Sequence, residues 1–266
     1  MRRVPLGPVL ITSLLVLAGG DPSRSAESLR FLESHFIGFT ILEPGLAVSP
    51  DGAHVYVFGD HTLVSFARDV SSGKLTQVQS QFFPQENPAF IVLSPDGKHA
   101  YITVRVSPFS GAPDRVEVYA RNATTGILSF VEAHLDDVDG VDGIDFAQAI
   151  TLSPDGSHVY VAGLGDNAIA VFSRDAVSGA LTFVEVQRDG IGGVDGLDGI
   201  WCVVVSPDGA HVYSAAVDDD APRPLWEERG PRRHAQGLVR GSMPCGSFPE
   251  NHNLKSYNPT RYTPEI

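Results

Sequence analysis

Two acidic loops carry the residue types best suited to chemistry. Residues 136–145 read D-D-V-D-G-V-D-G-I-D, and residues 193–199 read G-V-D-G-L-D-G. Carboxylates clustered among flexible glycines suit Ca2+, which takes about six to eight oxygens in loose geometry. The candidate ligands are Asp139, Asp142, Asp145, Asp195 and Asp198. Counted back from the serine that follows each loop, Asp142 matches Asp195 and Asp145 matches Asp198. The order D-G-x-D-G-x-D meets neither the EF-hand nor the glycine-rich nonapeptide pattern. The competing reading is a solvated turn, where Asp-Gly is favoured for backbone reasons. A second set, His54, His99, His158 and His211, holds one position of a repeat. A catalytic or metal-binding histidine is singular or converges with others, so these read as packing residues with locally bonded rings. The tyrosines two residues on (Tyr56, Tyr101, Tyr160, Tyr213) read the same way. His35, His61 and His134 have no partners at ligand spacing. No nucleophile elbow, zinc-ligand pair, phosphate loop or dinucleotide fingerprint is present. Catalytic residues are therefore left unassigned, and no cofactor is expected beyond the candidate Ca2+.

The elements that must position these residues repeat. S-P-D-G occurs at 49–52, 94–97, 153–156 and 206–209, each time between two apolar runs and followed by x-H-x-Y. Ser and Pro open a type I turn and Gly accepts positive φ at its end, so each copy predicts a hairpin. A second turn, R-[DN]-x-x-[ST]-G, stands at 68–73, 121–126 and 174–179 between two further runs. A unit is thus four antiparallel strands recurring every 45 to 60 residues or so, the dimension of a propeller blade. In His158-Val159-Tyr160-Val161 both faces carry bulky groups, which suits a sheet packed between two others.

The fold class expected is all-β: an incomplete β-propeller of four-stranded blades, about three full blades plus two partial ones, in an open arc. Leu29–Glu33 matches Leu181–Glu185 and reads as a lone fourth strand. The fourth unit has its first two strands, at Trp201–Val205 and His211–Ala216, and no third after Ala221. From Pro222 on, 7 basic residues face 4 acidic ones, against 12 and 28 before it. A natural linker or tail accounts for this shift, and so does a reading-frame change or truncation of a longer propeller, the reading preferred here. The domain division is 1–26 signal peptide, 27–221 propeller repeats and 222–266 poorly ordered tail.

Met1–Ala26 reads as a secretory leader. Arg2 and Arg3 precede an apolar run, Val9–Ala18, that is short for a bilayer span, and small residues follow. A secreted or periplasmic protein with no stable membrane span after cleavage is expected. The net charge of −13 opposes nucleic-acid binding. Of two cysteines, Cys202 in W-C-V-V-V reads as a buried free thiol, with pairing to Cys245 the alternative.

The two turns with their flanking strands, φ-φ-φ-S-P-D-G-x-H-φ-Y-φ and F/Y-x-R-D-x-x-[ST]-G-x-L-x-F-V-E, resemble the lactonase-like seven-bladed propellers, including phosphogluconolactonase-like and YVTN-type proteins. The resemblance covers about 29–221 and rests on turn and core residues. It implies a propeller with lactone hydrolysis in some members, and it carries no catalytic residue to a position here. The function expected is a ligand- or protein-binding scaffold, with the partner on the face of the blade-connecting loops. A lactone-ring hydrolase, with a loop carboxylate or histidine as general base, is the alternative.

Overall fold

The computed structural model describes residues 11–18, 30–39, 45–59, 61–84, 86–107, 110–217 and 254–257. All regular structure among them is strand, so none is a helix long and apolar enough to cross a membrane. Strands β1 (Ile11–Ala18) and β2 (Arg30–Phe39) form a two-stranded sheet. Three four-stranded antiparallel sheets follow. Blade 1 is β3 (Gly45–Val48), β4 (His54–Gly59), β5 (Thr62–Arg68) and β6 (Leu75–Phe82). Blade 2 is β7 (Glu86–Leu93), β8 (His99–Val106), β9 (Arg115–Arg121) and β10 (Leu128–Leu135). Blade 3 is β11 (Ala147–Leu152), β12 (His158–Gly163), β13 (Ala168–Arg174) and β14 (Leu181–Arg188). The fourth unit is β15 (Ile200–Val205), β16 (Val212–Ala216) and β17 (Leu254–Tyr257).

The expected architecture of blades with open sheets is the one observed. One expectation needs amending: β17 pairs with β16 and takes the third-strand place that the sequence leaves vacant after Ala221. The remainder of 222–266, and most of the leader, lie outside the described residues. Within the leader, β1 pairs with β2 in the register of a blade's third and fourth strands. Leu17 faces Phe31 and Val16 faces Glu33, with Leu32 bulged out. In blade 3, Phe172 faces Phe183 and Val171 faces Glu185, with the same bulge. The pair β1–β2 is therefore an outer half-blade, as the match of Leu29–Glu33 to Leu181–Glu185 suggests.

Each hairpin is built as its residues dictate. Ser49 Oγ accepts the His54 amide at 2.9 Å, the Gly52 amide closes on the Ser49 carbonyl at 2.7 Å, and Gly52 has φ of 67°. In the second turn Asp69 accepts the amides of Ser71 and Ser72 at 2.9 and 2.7 Å. The core lies between blades. Val159 and Val161 of β12 pack with Tyr101, Val116 and Val118 of blade 2, while Tyr160 and Ala162 pack with Ile200, Val203 and Val212 of the fourth unit. Both faces of a blade are thus buried by its neighbours, and burial at roughly 25 cal/mol per Å2 of apolar surface drives the stacking. Cys202 is buried and disulfide-bonded, which corrects its reading as a free thiol; Cys245, the only other cysteine, lies outside the described residues.

Candidate functional site

The two ends of each blade carry different chemistry. At the end with the S-P-D-G and R-[DN]-x-x-[ST]-G turns, the repeated polar residues lock neighbouring blades together. Arg121, at the end of β9, donates Nε to the Tyr56 hydroxyl (2.9 Å), Nη1 to the Gly97 carbonyl (2.8 Å) and Nη2 to Asp51 (2.8 and 3.0 Å). Its Nη2 also lies 2.7 Å from His54 Nδ1, and the Tyr56 hydroxyl donates to the Gly126 carbonyl at 3.0 Å. One step along, Arg174 makes the same set with Tyr101, Gly156, Asp96 and His99, and Tyr101 bonds the Gly179 carbonyl. His54, His99, Tyr56 and Tyr101 therefore bond across a blade boundary rather than locally, whereas His158 Nδ1 lies 2.8 Å from the hydroxyl of its neighbour Ser157. Burial and then the arginine charge lower the pKa of His54 and His99, which keeps their rings neutral acceptors. Burial raises Asp96, but Ser94, the Lys98 amide and Arg174 outweigh it and hold the carboxylate at about 2.

A second repeated contact runs along the fourth strands. Glu33 accepts the Leu75 amide at 2.6 Å, Gln79 the Leu128 amide at 2.8 Å, and Glu132 the Leu181 amide at 2.7 Å. This places β2 on blade 1 as the fourth strand of a preceding blade.

The crossover loops sit at the opposite end, with the loops between second and third strands. They are stapled from within. Asp136 accepts the Ile144 amide at 3.0 Å, and its counterpart Asp189 accepts the amides of Gly196 and Leu197 at 3.0 Å. Ile144 and Leu197 are thereby held in the core. Asp114 accepts the Val106 and Phe146 amides at 2.7 and 2.6 Å, and Asn167 binds Asp198 and the Gly199 amide at 2.8 and 3.0 Å. Much of the acidic richness is thus loop architecture.

The five predicted ligands are dispersed. Asp139 is exposed with φ of 52°, Asp145 and Asp195 are exposed, Asp198 serves Asn167, and Asp142 pairs with Arg188, which also binds Asp166 at 2.9 Å. Among the described residues one acidic group has metal-ligand proximity: Asp136, Asp137 and Asp142, whose ligand atoms lie within 4.8 Å of one another. Of the five, only Asp142 belongs to it. Burial is the main reason the Asp136 carboxyl rises to about 6, with the charges of Asp166, Asp137 and Asp145 adding to it.

At the same end of the blades stand three residues that break the repeat. Arg105, at the end of β8, places its guanidinium 4.8 Å from the centre of the Phe146 ring and donates to Gln148 Oε1 at 3.1 Å. Gln148 is completely buried near the start of β11. Phe146 is half exposed with φ of 49°, a left-handed conformation disfavoured for an aromatic residue. Its counterpart in the next loop is Gly199, and the counterparts of Gln148 are Ala89 and Trp201. A cation–aromatic pair with a half-buried arginine and an exposed ring, held on a buried amide and a strained backbone, suits an anionic or planar small molecule. None of these three residues lies in a motif, so only departure from the repeat marks them in the sequence.

These blades define a β-propeller. Residues 43–141 and 115–191 match the family "Lactonase, 7-bladed beta-propeller", and the chain belongs to that family. It is 32% identical to the 6-phosphogluconolactonase of Bacillus subtilis over 153 residues, 57% of this chain and 40% of that protein. It is 28% identical to an uncharacterized Staphylococcus epidermidis protein over 52% of this chain and 34% of that one. The chain thus spans between a third and two fifths of the curated relatives it matches. Among solved structures, a candidate 6-phosphogluconolactonase from Bacteroides uniformis superposes with a TM-score of 0.51 at 24% identity, over 66% of this chain and 51% of that one. A Lactobacillus plantarum protein gives 0.53 at 22% identity, over 66% and 49%. Both likenesses concern the fold.

Proposed function

We propose that this lactonase-family propeller binds a small anionic ligand on its crossover-loop face, with Arg105 and Phe146 as the anchor. The observation that carries this is the one constellation standing apart from the repeats: Arg105 over Phe146, steadied by buried Gln148. The guanidinium, which bonds Gln148 and lies in the field of the Asp114 carboxylate, supplies positive charge toward a carboxylate or phosphate, and the aromatic ring supplies a stacking edge. The relative named for 6-phosphogluconolactone supports a sugar acid as the class to try first. Titration calorimetry with 6-phosphogluconate tests it. Heat is expected from the wild-type chain and not from Arg105→Ala. No heat at millimolar ligand overturns the reading.

Lactone hydrolysis is the second reading, and the Asp136 carboxyl, raised to about 6 by burial, favours it. Such a group accepts a proton from water near neutrality. Hydroxide then attacks the lactone carbonyl, the ring C–O bond breaks, and the proton returns to the leaving alkoxide, leaving a hydroxy acid. Turnover of a lactone panel, abolished in Asp136→Asn, is the result that would put catalysis first.

Export after removal of residues 1–26 belongs to the same proposal, carried by the Arg2-Arg3 pair and the apolar run Val9–Ala18. N-terminal sequencing of protein recovered from the extracellular or periplasmic fraction checks it. A chain that keeps Met1 there overturns the leader.

A further inference from the structure

An Asp-Gly bond carries a latent reaction of its own. The glycine nitrogen attacks the Cγ of the protonated aspartyl carboxyl, and a five-membered cyclic imide closes. The nitrogen's hydrogen leaves with the carboxyl hydroxyl as water. Glycine permits this because no Cβ shields its nitrogen. Water then reopens the ring. Cleavage at the Cγ carbonyl restores aspartate, and cleavage at the α-carbonyl leaves isoaspartate, with the main chain rerouted through Cβ. The water lost in closure is regained in opening, so no other reactant enters. A fold decides which pairs react by holding or freeing the two groups that must meet.

Nine Asp-Gly pairs lie among the described residues. In eight of them the carboxyl is occupied. The four S-P-D-G aspartates each accept the hydroxyl of their own turn serine. Asp51 and Asp96 also serve the clasp that Arg121 and Arg174 make between blades. Asp142 pairs with Arg188, Asp189 accepts the amides of Gly196 and Leu197, Asp198 accepts from Asn167, and Asp195 is engaged as well. In seven pairs the glycine amide is committed too. Each S-P-D-G glycine donates to its serine carbonyl, Gly190 to the Val194 carbonyl, Gly196 to Asp189 and Gly199 to Asn167.

Asp139-Gly140 departs from the rest on both counts. Both residues are exposed. Among the described residues the Asp139 carboxyl has no hydrogen-bond or ionic partner, and the Gly140 amide donates to nothing. A Cβ added at Gly140 would meet no atom within 4 Å, so no neighbour crowds this tip. The tip also lies between two pins, Asp136 on the Ile144 amide and Asp142 on Arg188. It can rearrange while the blades on either side stay packed.

We propose that Asp139 is a site of spontaneous isomerisation to isoaspartate, which the fold singles out from eight other pairs of the same sequence. The product adds one methylene to the main chain of the crossover loop and leaves the α-carboxylate as the side group. Mass is unchanged. The reaction is independent of what the propeller binds.

Storage of the full-length chain for several weeks at physiological temperature and neutral pH tests this. Peptide mapping locates the product, and an isoaspartyl methyltransferase with labelled S-adenosylmethionine counts it in the digest. Isoaspartate is expected at Asp139 about tenfold or more faster than at any S-P-D-G pair. In the chain unfolded by guanidinium the pairs are expected to react within a few-fold of one another, because only the folded structure tells them apart. Gly140→Ala is expected to slow the reaction at Asp139 about tenfold. A melting curve shows that this variant folds, and the comparison of folded with unfolded wild-type chain needs no variant. Aged protein is expected to melt as fresh protein does. Isoaspartate at the S-P-D-G pairs of the folded chain at the Asp139 rate overturns the proposal. So does a folded chain that stays unmodified at Asp139 while the unfolded chain reacts there.

Discussion

Arg121 reaches back across a blade boundary to donate Nε to the hydroxyl of Tyr56, 2.9 Å away and buried with it. Around that bond gather Asp51, His54 and the Gly97 carbonyl. The arrangement leaves no hydrogen-bonding nitrogen of the guanidinium unused, which is the condition under which a buried charge is tolerated.

Removing this arginine strands its acceptors. Arg121→Ala is expected to lower unfolding free energy by about 3–5 kcal/mol, because Asp51 and buried Tyr56 lose their shared donor. Arg174→Ala should behave alike. Arg68→Ala should cost less than about 1 kcal/mol, since its bond among the described residues is to its own hairpin, at the Gly52 carbonyl. Urea titration monitored by circular dichroism separates the three.

The glycines closing the second turns are unequal. Gly126 and Gly179 have φ of 76° and 80°, and an added Cβ would lie 2.1 and 2.2 Å from the rings of His54 and His99. Gly126→Ala should therefore cost about 2–4 kcal/mol, the left-handed penalty plus overpacking in the clasp. At Gly73, with φ of 78°, the nearest atom is a Leu32 methyl at 3.1 Å, and the cost should stay near 1–2 kcal/mol. Equal losses at both sites would mean that backbone strain alone is being measured.

Acid should loosen the blades from their turn end. Asp96 stays ionised down to about 2 in the folded chain, against an ordinary 3.8, and Asp51 is lowered further. A depressed carboxyl stabilises fully above its unfolded value, and that stability is lost as the pH falls from about 4 through 2. Asp136 runs the other way. Its folded value of about 6 lies above 3.8, so its contribution is retained at low pH and lost as the pH rises through 6. Asp136→Asn keeps the oxygen that accepts the Ile144 amide. It should raise stability at pH 7.5 by on the order of 2 kcal/mol and leave it nearly unchanged at pH 4. Melting curves across that range decide the sign.

Relieving Phe146 should separate folding from binding. Phe146→Gly supplies the residue found at the matching position, Gly199, and removes the left-handed strain at φ of 49°. The variant is expected to melt at or above the wild-type temperature, while heat with 6-phosphogluconate falls severalfold. A variant that melts lower and binds normally would assign Phe146 to packing instead.

Calcium addresses the acidic loop directly. Two carboxylates of the group are already engaged, Asp136 with the Ile144 amide and Asp142 with Arg188. Ca2+ titration is therefore expected to give weak, millimolar binding at best, removed by Asp137→Asn. Micromolar binding would show that Arg188 yields Asp142 to the ion.

The hairpins were legible because S-P-D-G and R-[DN]-x-x-[ST]-G are local chemistry, complete within four to six residues. The alternation in His158–Val161 likewise foretold burial on both faces. The partnership of Arg121 with Tyr56 was not legible. It spans 65 positions and depends on how one blade rotates against the next, which no single repeat encodes. Even so, Asp, His, Tyr and Arg recurring in step was a signal that these positions answer one another. Arg105, Phe146 and Gln148 carry no repeat signature, and not repeating is what sets them apart. The acidic loops are conspicuous by composition, yet Asp136, the carboxylate that pins Ile144, is indistinguishable in sequence from any other turn aspartate.

Glu33, Gln79 and Glu132 each hold the first amide of the following fourth strand. Every module therefore carries half of its own fastening and half of its neighbour's. Nothing in that scheme counts modules, so copies can be gained or dropped at either margin while the surviving joints keep their chemistry. The number of sectors in such a wheel is then decided by curvature and closure, not by any residue within a sector.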